Sequence, residues 1–471
     1  MSDWQITTLG EIINTGNGLI QTGPFGSQLH ASDYVSLGVP VIMPINLVDN
    51  RISLDDVAYI TDDDANRLAK HILKAGDIVY SRRGDVTRKA LITEKEEGMF
   101  CGTGCLLIRP GYKVESKFLA YFLSTPSSKE WIIRHAVGAT MPNLNTSILS
   151  KVPLLLPDFS MQKRIAKILG DLDNKITLNR QINQTLEAMA QALFKSWFVD
   201  FDPVKAKLSA LAAGGSANDA NLAAMSAISG KTTEQLLTLK TTHPDQFQQL
   251  YTTADLFPSE MVDSELGEIP KGWEVSEIGK EVTVVGGGTP STSNSDFWEN
   301  GDVFWATPKD LSSLSDKVII DTERKITQQG LSKISSGLLP VNTVLMSSRA
   351  PVGYLALAKV PVAINQGFIA MKCDNKLSTE YVIQWCIANM DEIQQRASGT
   401  TFLEISKKNF NPIGVVVPTQ NVLNNYSQVV KNYYVQIEQN VRQTASLVDI
   451  RDALLPKLLA GDLVVDGVSD E

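Results

Sequence analysis

The stretch DFSMQKRIAKILGDLDNKITLNRQINQTLEAMAQALFKSWF, residues 158–198, decides how the whole chain is read. Apolar side chains recur along it at Met161, Ile165, Ile168, Leu172 and Ile176, then at Leu186, Met189, Leu193 and Trp197. Most are three or four positions apart, the seam of a helix that faces another helix. A second run of the same length, residues 419–459, repeats the pattern with Val422, Tyr426, Val429, Tyr433, Ile437, Val441, Val448 and Leu455. At 1.5 Å per residue each run makes a rod of roughly 60 Å, enough to hold two domains apart.

The repeat extends beyond the helices. An offset of 261 residues lays Gly138 on Gly399, Leu144 on Ile405, Val152 on Ile413 and Leu154–Pro157 on Val415–Pro418. Further upstream it grows to 266, where Ile78-Val79-Tyr80-Ser81-Arg82-Arg83 lies over Val344-Leu345-Met346-Ser347-Ser348-Arg349, and to 269, where Trp4 lies over Trp273. A drifting offset means insertions in loops between matched elements. The chain therefore divides into a globular unit at 1–156, a long helix at 157–202, a connector at 203–264, a second globular unit at 265–417, and a second long helix with a C-terminal tail at 418–471.

Composition sets the broad class. Hydrophobic and charged fractions of 43% and 20% are those of a globular chain, not a disordered one. No apolar run approaches the ~20 residues that cross a bilayer, and Met1-Ser2-Asp3-Trp4 lacks a signal peptide's basic and apolar regions, so a cytoplasmic location is expected. Cys101, Cys105, Cys373 and Cys386 are too few for a disulfide framework, and no second pair at zinc-like spacing accompanies the first two; no metal site is expected. The net charge of −9 runs against unaided DNA binding, since phosphate neutralisation supplies most of such affinity. A nucleic-acid partner then requires local positive charge and help from another subunit.

Residues 1–156 alternate short apolar runs with Gly, Pro and Asp turns, as strands with irregular connections do, and 115–135 is the helical portion. Arg82, Arg83, Arg88 and Lys89 cluster directly after the strand ending at Tyr80, a placement that aims cations at phosphates or guanine edges. A solvated turn is the competing reading, and it stays level for Arg88 and Lys89. The connector is rich in Ala, Ser, Gly and Asn, and reads as exposed, with short helices near 233–239 and 245–251. Its Gly230-Lys231-Thr232 is no phosphate loop, because Met225 stands where that loop needs glycine. Gly286-Gly287-Gly288 is no dinucleotide fingerprint, since Pro290 follows where a helix should open. In the second unit Thr289, Ser291 and Lys309 suit phosphate and base-edge contacts, while Phe304 and Trp305 belong to the core. Asn365 and Gln366 either pair with adenine or satisfy a strand bend beside Gly367.

These segments carry a family resemblance. The two globular units alternating with two long helices, together with Gly23-Pro24-Phe25-Gly26-Ser27, Gly287-Gly288-Thr289-Pro290, Ser348-Arg349-Ala350-Pro351-Val352-Gly353, Asn365-Gln366-Gly367-Phe368 and the run from Ala192 to Pro203, resemble the specificity subunit of type I restriction-modification systems. The resemblance implies an α+β chain. Two mixed α/β target recognition domains are joined by two long antiparallel helices, a coiled-coil spacer with a pseudo-two-fold internal repeat. It implies a non-catalytic subunit in which each globular domain reads one half of a bipartite double-stranded DNA target. The helices set the gap and dock methyltransferase (modification) subunits, two in number, with restriction/translocase subunits completing the complex. No cofactor is expected here, with S-adenosylmethionine and ATP on the partner subunits. Ser27 and Arg349 join Arg82, Arg83, Arg88, Lys89, Thr289, Ser291, Lys309, Asn365 and Gln366 as expected DNA contacts. If the helices run antiparallel about a two-fold axis, Asn179 and Asn440, near the middle of each, meet and fix register. Pro456 should kink or end the second helix at about Leu455. The alternatives are a stand-alone DNA methyltransferase or nuclease, and a coiled-coil scaffold. A methyltransferase would show an Asn/Asp-Pro-Pro-aromatic motif and an ATP-driven nuclease the phosphate loop already set aside, and a scaffold leaves two elaborate globular units unexplained.

Overall fold

The computed structural model describes residues 4–48, 50–138, 141–399 and 403–463, and the expected C-terminal tail beyond 463 lies outside the described residues. The first long helix is Phe159–Phe194, continued by one wide turn at Lys195–Val199, and the second is Gln420–Ala460. Asp158 opens the first as its proline-led start predicts, accepting the Met161 backbone N–H at 2.9 Å. Along this helix Ile165, Leu169, Ile176, Asn179, Asn183, Ala190 and Trp197 are buried, a spacing built from steps of three and four. Met189 and Val429, expected in the seams, are 45% and 38% exposed; Ala190 and Val430 take their places, one position on. Pro456 does not end its helix, which continues to Ala460 with Leu458 and Leu459 buried.

The chain forms two compact units, 1–176 with 446–471, and 177–445. Their boundaries fall inside the long helices. In the first, an antiparallel sheet runs Leu19–Thr22, Cys105–Arg109, Ile78–Ser81, Lys89–Leu91. A second sheet runs Phe100–Cys101, Val39–Ile42, Ala58–Ile60, Tyr34–Val35, its first pair parallel. Gln5–Thr8 pairs with Pro153–Leu156, the strand that feeds the long helix. Helices Ser116–Phe122 and Pro126–His135 cover the expected helical portion, broken where Thr125 caps a new start before Pro126. The core gathers Leu9, Ile78, Tyr80, Leu106 and Phe118, and Ile165, Leu169, Leu458 and Leu459 from the long helices.

The second unit repeats this plan. Its main sheet runs Thr283–Val285, Phe368–Lys372, Val344–Ser347, Leu355–Ala358, with Val318–Ile319 added in parallel at the edge. A three-stranded sheet, Arg324–Ile326, Val303–Ala306, Ala363–Ile364, matches the second sheet of the first unit, and Glu274–Glu277 pairs with Gly414–Val417. The match reaches single atoms. A Cβ on Gly23 would sit 1.9 Å from the Gly102 carbonyl oxygen, and one on Gly287 would sit 2.3 Å from that of the equivalent Asn365 and 2.0 Å from that of Ile364, so both positions admit glycine alone. In the first unit Tyr121 donates to Asp173 on the long helix at 2.6 Å; in the second, Gln384 donates to the Tyr434 hydroxyl at 2.8 Å, the same join with different chemistry.

Residues 203–264 hold the short helices expected near 233–239 and 245–251 and are exposed at many positions, but they pack more than a linker does. They form helices Asp202–Ala212, Ala217–Ser229, Thr233–Thr242 and Pro244–Asp255, then a hairpin of Met261–Ser264 with Gly267–Pro270. Ala224, Met225, Leu236, Phe247 and Ala254 make their small core. Small side chains let these helices approach closely, which is why a stretch poor in bulky residues still packs. Gly230 is a left-handed helix cap, and Thr232 caps the next helix through the Gln235 N–H.

Candidate nucleic-acid interface

Each unit presents an arginine-bearing dipeptide from the end of its central strand. In the first, Ser81 closes the strand, and the Arg82 backbone is held on both sides, its N–H on the Gly104 carbonyl at 2.9 Å and its carbonyl on the Leu144 N–H at 2.8 Å. In the second, Ser348 makes the same two bonds, to Gly367 at 2.8 Å and Ile405 at 2.9 Å. Arg83 then bridges Asn143, and Arg349 bridges Glu404. The offset that aligned Arg83 with Arg349 therefore describes equivalent backbone positions. Their surroundings differ: the Arg349 guanidinium lies 3.9 Å from the Glu404 carboxylate, where the first unit has the neutral Asn143.

The remaining expected contacts divide. Arg82 is half-buried with its guanidinium 5.9 Å over Phe25, a ring 54% exposed in the same loop as the exposed Ser27. Arg83 and Arg88 are exposed, Arg88 in an ion pair of 3.4 Å with Asp85. The Thr87 hydroxyl, chief among several partners, holds that carboxyl below its ordinary range. Lys89 is not at the surface. It faces Tyr80 across the sheet, is 2% exposed, and donates to Asn50 Oδ1 at 2.9 Å and Ser124 Oγ at 2.7 Å. Burial brings its ammonium down to about 7, with Lys129 adding repulsion and Asp173 opposing it. Lys89 is thus not a DNA contact: it opens a strand buried on both faces, while Arg88, just before that strand, is exposed.

In the second unit Thr289 donates to the Gln366 side-chain oxygen, leaving that amide's N–H groups at the exposed surface. Asn365 accepts the Gly367 N–H at 2.8 Å, the strand-bend role, so its oxygen is engaged within the turn. Ser291 is exposed, and Lys309 is exposed but paired with Glu323 at 2.7 Å. Trp298 and Arg324 are not anticipated from the sequence. Trp298 donates its indole N–H to the Ser291 carbonyl at 3.0 Å, Trp305 donates to Gly288 at 3.1 Å, and Arg324 lies 3.6 Å over Trp298. The facing of Trp305 by Arg324 across the sheet is the available signal, but register cannot be read from two short strands alone. In mid-helix the structure brings Asn179 and Asn440 together: Asn179 Nδ2 lies 3.5 Å from the Asn440 carbonyl, 2.9 Å from Gln443 Oε1 and 3.3 Å from Thr444 Oγ1, while Asn440 donates to Asn183 Oδ1 at 2.9 Å. Asn179 and Asn440, and likewise Asn183 and Thr444, exchange under the 261 offset. The two helices therefore meet antiparallel, about a local two-fold axis.

A family model for the type I restriction modification DNA specificity domain matches residues 1–188 and 270–443, well over half of the chain. The chain belongs to that family. Among similar specificity subunits, that of the type I restriction enzyme HindI from Haemophilus influenzae is 31% identical over 98% of this chain and 100% of its own length. A type I subunit described as putative, MjaX from Methanocaldococcus jannaschii, is 23% identical over 88% and 83%. The crystal structure of a type I restriction-modification S subunit from M. genitalium shares the fold at a TM-score of 0.54, covering 97% of this chain and 96% of that one at 14% identity. The family match skips 189–269, which includes all four helices between Asp202 and Asp255. Among the described residues no helix is long and apolar enough to cross a membrane.

Proposed function

We propose that this specificity subunit is the non-catalytic DNA reader of a type I restriction-modification complex, each globular unit reading one half of a bipartite double-stranded target. The observation that carries this is the repeated strand exit, where Arg82-Arg83 and Ser348-Arg349 occupy the same backbone clamp amid different side chains. A shared scaffold presents contacts in one geometry, while differing neighbours let the two half-sites differ in sequence. The long helices set the gap and dock two methyltransferase subunits, restriction/translocase subunits join them, and S-adenosylmethionine and ATP bind on those partners. The net charge of −9 suits a reader whose partners supply much of the phosphate neutralisation, working in the cytoplasm.

The test is an insertion of four residues, about one turn, near Asn179. It lengthens the helix by ~6 Å and turns the helix beyond the insertion by about 40°. The unread gap should grow by one or two base pairs at most, since a base pair advances roughly 3.4 Å. The bases of each half-site should stay the same. Inserting two residues rotates the seam by about 200° and should abolish activity. Methylated sites are mapped in cells supplied with the methyltransferase subunit. An active four-residue variant with an unaltered gap, or with altered half-site bases, defeats the ruler, and tight S-adenosylmethionine binding by the isolated chain defeats the non-catalytic assignment.

A further inference from the structure

The geometry points to Arg324 as a base-reading residue of the second unit, its guanidinium seated over the Trp298 ring and its N–H groups offered to a guanine of the second half-site. This rests on the DNA-reading function proposed above and names one residue that performs it. Arg324 stands on the edge strand Arg324–Ile326, directly opposite Trp305, and is exposed. Its guanidinium carbon lies 3.6 Å over the Trp298 ring and 5.6 Å from that of Trp305, and the two indoles meet edge to face at 5.0 Å. Both rings are themselves anchored through the Ser291 and Gly288 carbonyls. The loop carrying those carbonyls also presents Thr289, which holds Gln366. One hydrogen-bonded assembly therefore carries a fork of donors and an exposed amide from three separate segments of chain.

The charges around Arg324 argue against a plain surface ion pair. Its neighbours have carboxylate partners, Lys325 with Asp321 and Lys309 with Glu323, whereas among the described residues Arg324 forms no salt bridge and pairs with aromatic rings instead. Stacking occupies the face of the guanidinium and leaves its in-plane N–H groups for a ligand. A phosphate can be met by a mobile side chain acting as a charge, but the O6 and N7 of guanine need a fork held in one plane. Orientation of this kind costs side-chain freedom and gains something where direction matters. The first unit has no equivalent: the strand position matching Arg324 is Ala58, opposite Val41. The two units thus carry different reading groups on one scaffold.

The experiment uses the full subunit with its methyltransferase partners in cells, with methylated sites mapped at single-base level. Replacing residues 265–417 by those of another family member first assigns the half-site read by the second unit. Arg324→Ala should then relax one base pair of that half-site, discrimination against the wrong base falling about ten-fold or more, with the first half-site and the gap unchanged as the control for folding. Trp298→Ala should relax the same base pair to a smaller degree. An unaltered motif in Arg324→Ala overturns the inference. So does a uniform loss at all sites with a salt slope lowered by about one, which marks a phosphate contact, and so does relaxation in the other half-site. A wild-type complex with no bipartite motif overturns the proposed function itself, so failure of that function and failure of Arg324 give different results.

Discussion

Lys89 follows Arg88 in sequence and shares none of its surroundings. Its ammonium is buried, held by two neutral acceptors, and titrates near 7 instead of 10.5. Because the folded value is depressed, the unfolded chain binds more protons between those limits, and stability rises with pH across that window. It is least below about 7, where the buried group is charged. Lys89→Met removes the titration. Hydrogen exchange of the Lys89–Leu91 strand should show the wild type gaining on the variant as pH rises from about 7.5 to about 9, by at most ~1.4 kcal/mol per unit. A pH-independent difference would contradict the assignment. The same variant should leave DNA binding by the assembled complex unchanged. Sequence could not separate Lys89 from Arg88, since a run of cations shows where charge is dense and not which side chains the sheet turns inward.

Among the elements, the long helices were the most legible, because a seam repeated over ten turns outweighs local ambiguity. The buried residues follow the expected spacing of three or four, and positions such as Met189 and Val429 shift by one, because there both helices also pack into the core of the second globular unit. Pro456 departs from expectation for a related reason: burial of Leu458 and Leu459 offsets the hydrogen bond that proline cannot make. The connector departs from it because composition reports bulk and not the closeness that alanine permits. At the two-fold, Asn179, Asn183 and Asn440 are buried among the apolar residues of the seam. Asn440→Leu strands the Asn183 oxygen and should cost about 1–3 kcal/mol. Asn183→Leu with Asn440→Leu removes both partners and should recover most of that, at the expense of register. Equilibrium unfolding of the three variants in a double-mutant cycle checks this, with a coupling of at least ~0.5 kcal/mol expected. Additive losses would mean that the amides act separately.

At the scale of the molecule, repetition made the architecture readable, while the individual base contacts stayed hidden, because the reading loops are where the two halves differ. The first unit is also discontinuous, joining residues 1–176 to 446–471. A chain stopped after Ala445 should therefore lose protease resistance in its first 176 residues while 177–445 stay resistant, although the deletion lies at the opposite end of the sequence. Loss confined to the second unit would refute this. Leu458 and Leu459 close a core begun by Leu9. On the ribosome the first half must wait, partly folded, while residues 177–445 are made, a delay of about 15–50 s at ordinary elongation rates. The second half can fold before the first is finished. A nascent chain stopped before residue 446 leaves that core open and is thereby a natural substrate for quality control, and every folded first unit has passed a check that translation went beyond Leu459.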